Sequence, residues 1–146
     1  NAGEARAAWA LTAGLLETLS EMRNDTYLGE PGCYVADLSQ GGHTFLRMGA
    51  FKFLNQHLQQ PFEGRLSPAD GRAKLASYLG EREPAPGHLN VHVTHDTILA
   101  VLVAELHGHR RITEDDWPWM MEGLWLWFSG GQLHWIWRGD HGHRAL

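Results

Sequence analysis

Residues 89–106 constrain this chain more than any other stretch. Leu89, Val91 and Val93 alternate with Asn90, His92 and Thr94, and a period of two predicts a β-strand. From Thr97 to Leu106 nearly every side chain is apolar, Ile98, Leu99, Ala100, Val101, Leu102, Val103 and Ala104 among them. A helix apolar all round has no face for water, so it has to be buried. Strand followed tightly by buried helix is half of a βαβ unit, which predicts an α/β domain. The chain has 146 residues, room for one domain and not two full ones. That domain is taken as residues 3–146, because Asn1-Ala2 opens without Met and reads as a trimmed terminus or an expression scar.

The flanking segments fit such a domain. Leu11, Leu15, Leu19 and Met22 recur at helical spacing, so residues 4–22 are expected to be a helix. Residues 24–42 are rich in Gly, Asn, Asp and Pro and read as loop, with one short extended piece at Tyr34–Leu38. Phe45 to Leu58 form a second helical stretch that Pro61 ends and Gly49 can split. In Ser67-Pro68-Ala69-Asp70 a capping Ser, an N1 Pro and an early acid coincide, which starts a helix that Gly80 stops. Pro84 and Pro86 stiffen the linker over 81–87.

Six of the seven Trp fall between 117 and 137. Leu124–Phe128 and Leu133–Arg138 flank Gly130-Gly131, a two-residue hairpin turn. With that loop, Leu124, Leu126 and Phe128 face Trp137, Trp135 and Leu133 and form a core face. Trp125, Trp127, His134 and Ile136 form the other face, which is expected to be covered as core or subunit interface.

Charge and composition narrow the partners. The apolar fraction is 43% and the charged fraction 20%, values of a globular chain that rule out wholesale disorder. Lys and Arg number 12 and Asp and Glu 17, a formal charge of −5, so no basic face for nucleic acid is expected. No run reaches the ~18 apolar residues of a spanning helix, so no membrane partner is expected. A lone Cys33 excludes an internal disulfide and any Cys-rich zinc site. His-Gly-His-Arg occurs at 107–110 and 141–144. Both copies are read as exposed loops, not as metal ligands, which need three or four converging donors.

His95-Asp96 falls at the junction of the expected strand and helix. In open α/β sheets ligands bind at that edge, and a helix start offers backbone N–H groups and positive potential to an anion. Two readings stay open: Asp96 or Thr97 merely caps the helix and His95 is an ordinary loop residue, or the pair lines an oxyanion pocket.

The segment from His88 through His95-Asp96-Thr97-Ile98, with its apolar helix, Asp116-Trp117-Pro118 and hairpin, resembles the C-terminal part of the histidine phosphatase superfamily. It is most similar to the acid phosphatase branch, where Asp follows the second conserved histidine. The likeness covers residues 89–138, and 4–20 weakly. It implies a phosphoglycerate mutase-like layered α/β fold, shortened at its N-terminus and ending in a β-hairpin. It also implies phosphomonoester hydrolysis without metal or cofactor, with a phosphate ester or inorganic phosphate as ligand. His95 would hold phosphoryl oxygens and Asp96 would protonate the leaving alcohol. Arg6, in Arg6-Ala7-Ala8 before Gly14-Leu15, is the matching phosphate clamp, although Trp9 departs from the family's Ser or Thr and a solvated helix arginine is the plain alternative. The family's nucleophile lies in Arg-His-Gly, which this sequence lacks. A permuted use of His141, after Trp135-Ile136-Trp137, is one alternative. A shortened member without the nucleophile is the other. Such a chain would self-associate to cover its open sheet edge, so a homo-oligomer is expected. A non-catalytic anion-binding or dimerisation module is the rival to an enzyme.

Overall fold

The computed structural model describes residues 25–29, 32–37, 39, 42–60 and 62–146. The expected helix over 4–22 and the candidate clamp Arg6 lie outside them, as do Leu38 and Pro61. The described residues form four helices, α1 (Gly42–Met48), α2 (Ala50–Gln59), α3 (Pro68–Gly80) and α4 (Asp96–His107). Three strands follow, β1 (Trp125–Ser129), β2 (Gln132–Trp137) and β3 (Asp140–Ala145), in one antiparallel sheet of order β1-β2-β3. The class is mixed α/β.

Local chemistry explains the helix boundaries. The expected second helix splits at Gly49, whose φ of 75° is open to glycine. Ser67 caps α3: its Oγ accepts from Asp70 N at 3.1 Å and donates to Asp70 Oδ2 at 2.6 Å. Such a cap contributes about 1 kcal/mol. Tyr34 packs onto α3 at Gly71, where a Cβ would overlap the Tyr34 ring, so that close approach needs glycine. In the piece expected to be extended, the described residues 34–37 make one isolated bridge, between Val35 and Arg65.

α4 runs through the core, as its all-round apolar character demands, and Ala100, Val101, Ala104 and Leu106 are buried. At its far end Glu105 accepts from Arg72 Nε at 3.2 Å and Arg144 Nη1 at 2.8 Å, which ties α3, α4 and β3 together. The hairpin has the expected register, Phe128 opposite Leu133 and Leu126 opposite Trp135. Gly130 and Gly131 both have positive φ, 58° and 73°, as a type I′ turn requires.

Three expectations are corrected. Residues 88–95 form no strand, and Leu89 and Val91 are exposed. A strand exists only with a partner; here Asn90 Nδ2 donates to Arg82 O and Thr94 Oγ1 to Leu28 O, both side-chain ties and no ladder. The βαβ half-unit is therefore a helix with an unpaired lead-in, and the sheet is antiparallel. Second, His141–Arg144 is no loop. It forms most of β3, with His134 opposite His143 and Trp135 opposite Gly142. Third, of the two covers expected for the hairpin's second face, core is ruled out within the chain: Trp125 is 58% and Trp127 43% exposed. Among the described residues no helix is long and apolar enough to cross a membrane.

Candidate functional site

The start of α4 carries the site that the sequence singles out. His95 takes the N-cap position in extended backbone, and its side chain makes no capping hydrogen bond. Its carbonyl accepts from Ile98 N and Leu99 N, both at 3.1 Å. Neither Asp96 nor Thr97 is the cap; Asp96 is the first helical residue. Both His95 and Asp96 are exposed, so neither is packed against the interior.

Asp96 is held from two directions. Its Oδ1 accepts from Thr97 N at 2.7 Å and its Oδ2 from Trp117 Nε1 at 3.2 Å. The Trp117 ring packs on Phe51 of α2 with centroids 4.7 Å apart. The fold thus brings His95-Asp96 and Asp116-Trp117-Pro118 to one place although they are some twenty residues apart. Asp116 is engaged elsewhere. Its Oδ2 accepts from Thr113 N and Oγ1, each at 2.7 Å, and those bonds hold its carboxyl below the usual range.

Sequence reasoning missed Arg138, which fixes the Trp117 loop. It sits at φ 49° in the β2–β3 turn. Its Nε donates to Glu122 Oε1 at 2.7 Å, and its Nη2 donates to Glu122 Oε2 at 2.9 Å and Trp117 O at 2.8 Å. Nη1 donates to Asp115 O. The two-pronged ion pair lowers the Glu122 carboxyl and raises the guanidinium. No residue spacing marks this role, because two of the acceptors are backbone carbonyls.

Chemically, the α4 start offers an imidazole, a carboxylate and the positive end of a helix. His95 and Asp96 line neither the cavity beside Val103 and His107 nor the one beside Ala76 and Phe128, and both are exposed, so a ligand here meets an open surface. Four other histidines serve other places. His57 is fully buried in the core. His107 Nδ1 donates to Val103 O at 2.9 Å. His134 stacks on Trp127 at 5.2 Å and lies 5.6 Å from His143. Among the described residues no group of three His, Cys, Asp or Glu is placed to hold a metal ion. No protein-family model, curated protein or solved structure matches the chain.

Proposed function

We propose that the α4 start is the phosphate-holding part of a histidine phosphatase-like site. On this reading the helices and hairpin belong to a phosphoglycerate mutase-like layered fold. His95 donates to phosphoryl oxygens, the helix end supplies positive potential, and Asp96 takes the position of the family's proton donor. The observation that carries the reading is the Trp117–Asp96 hydrogen bond, which fixes the carboxylate of the residue that follows the exposed His95. A plain helix start needs no such tether. With no Arg-His-Gly in the sequence, no residue is assigned as nucleophile, and binding of phosphate is the activity proposed.

The test is a titration with inorganic phosphate followed by amide and imidazole NMR. Saturable shifts are expected at His95 and over residues 96–99. His95→Ala is expected to weaken binding at least ~10-fold, the value of one charge-assisted hydrogen bond. Phosphate that leaves those signals unmoved overturns the site. So does an aryl-phosphate turnover that survives both His95→Ala and Asp96→Ala.

A second reading rests on the uncovered sheet face. Trp125, Trp127 and Ile136 are all exposed there, an apolar surface suited to a second copy of the chain. Sedimentation is expected to show a concentration-dependent dimer that Trp125→Ser with Trp127→Ser returns to monomer. A wild-type chain that stays monomeric at all concentrations removes this reading and leaves the phosphate site intact.

A further inference from the structure

The second His-Gly-His stretch lies in β3, so its imidazoles are carried by a backbone ladder that a loop would lack. His143 stands directly opposite His134 of β2, and the two rings have centroids 5.6 Å apart. We propose that His134 and His143 together bind a divalent transition metal ion, Cu²⁺ before Ni²⁺ or Zn²⁺, with water in the remaining coordination positions. The site is separate from the α4 start.

Distance, tautomer and surroundings all lead there. A metal about 2.0 Å from an imidazole nitrogen lies about 3.2 Å from the ring centre. Two imidazoles that share it have centres about 4.5 Å apart at a right angle and about 6.4 Å apart in line, and the observed pair falls inside that span. The paired strands already fix both backbones, so no segment has to be ordered when the ion arrives. With its proton on Nε2, His134 donates to Ser129 O at 3.3 Å and keeps the lone pair of Nδ1 for a metal. A carbonyl that takes the far N–H is a common partner of a ligating imidazole. Trp127 stacks on the His134 ring, 5.2 Å away and 13° from parallel, which limits how the ring can turn. Strand alternation puts no Lys or Arg on this face of the three strands, so no cation carried there repels the ion. His143 is exposed and β3 is the last strand of the sheet, which leaves the ion an open path. Two imidazoles and water suit Cu²⁺ most, because it favours nitrogen and oxygen donors and heads the affinity order of the divalent first-row ions. His107 and His109 are also 5.6 Å apart, but His109 lies beyond the left-handed Gly108 that ends α4, with no ladder to hold it. They are the internal control.

The experiment is a Cu²⁺ titration of the full chain, read by paramagnetic broadening of amide NMR signals. The signals of residues 133–135 and 142–144 are expected to broaden first and saturably, while Mg²⁺, an ion of oxygen ligands, leaves them unmoved. His143→Gln and His134→Gln are each expected to weaken uptake at least ~10-fold, the least that loss of a supporting group costs a metal site. His109→Gln is expected to leave it unchanged. His143 is exposed, so its variant tests the site without touching the Trp127 stack, and unshifted signals elsewhere show that the fold is kept. The proposal is overturned if broadening starts elsewhere, residues 107–109 included, or if Mg²⁺ moves the same signals. It is equally overturned if His143→Gln takes up copper with wild-type affinity, or if His109→Gln loses as much as His143→Gln.

Discussion

Trp135→Ala is expected to lower the unfolding free energy by about 3–5 kcal/mol, the cost of emptying a large aromatic site in a packed core. Trp135 is 5% exposed at the centre of β2. Its indole covers Gly142 on β3, where a Cβ would lie 2.4 Å from the ring. The edge of His107 approaches it from α4, with centroids 6.0 Å apart, and Leu126 stands opposite on β1. One side chain therefore joins all three strands to the central helix, and neighbouring atoms cannot collapse into its place without moving a strand. Trp127→Ala is the control: 43% exposed on the other face, it is expected to cost under ~1 kcal/mol. Urea denaturation of the two variants checks the contrast. Equal losses would mean that the sheet packs through the wrong face.

The same residues show which parts of the fold are legible in the sequence. α2 declares itself by apolar side chains at helical spacing after Gly49, α3 by Ser67, Pro68 and Gly80 at its ends, and α4 by its all-round apolar character. The β1–β2 register is readable because Gly130-Gly131 permits only one tight turn, and the period of two then assigns every face. β3 is hidden. Asp140, His141, Gly142 and His143 have weak strand preference. They pair because β2 presents an open edge and because Gly142 alone leaves room for Trp135. The stretch 89–94 is the opposite case. Its alternation is that of a half-buried strand, but alternation says nothing about whether a partner edge is within reach, and among the described residues none is.

The candidate site divides in a similar way. His95 and Asp96 stand out because they join an alternating segment to an apolar helix, and the structure leaves both exposed at the α4 start. The Trp117–Asp96 bond depends on how the 108–124 loop folds back, which no local spacing encodes. Arg138 is harder still to read. It acts through the carbonyls of Asp115 and Trp117, and backbone acceptors leave no mark in a sequence.

Acidification from pH 7 to pH 4 is expected to cost wild-type protein roughly 3 kcal/mol more stability than it costs His57→Phe. His57 is 0% exposed, and neither ring nitrogen has a hydrogen-bond partner among the described residues. Phe53 and Phe62 lie parallel to its ring, with centroids 6.5 and 6.4 Å away, and the edge of Tyr34 meets it at 6.0 Å. Burial first, and then the nearby Arg65 guanidinium, lower its pKa from 6.5 to about 4. Between those values the unfolded chain takes up a proton that the folded chain refuses, so unfolding gains ground as pH falls. The stabilisation is whole above pH 6.5 and declines as pH drops through the interval to about 4. Below that, both states are protonated and this contribution is flat. The gap between the two pKa values sets the size of the loss. Phe keeps a ring between Phe53 and Phe62 and cannot be charged, so any packing offset it introduces is the same at every pH and cancels. Urea midpoints for both proteins at pH 7.5, 5.5 and 4.5 provide the measurement. Stability curves that run parallel across that range would show that the imidazole meets water in the folded state, and the core around it would then have to be rebuilt.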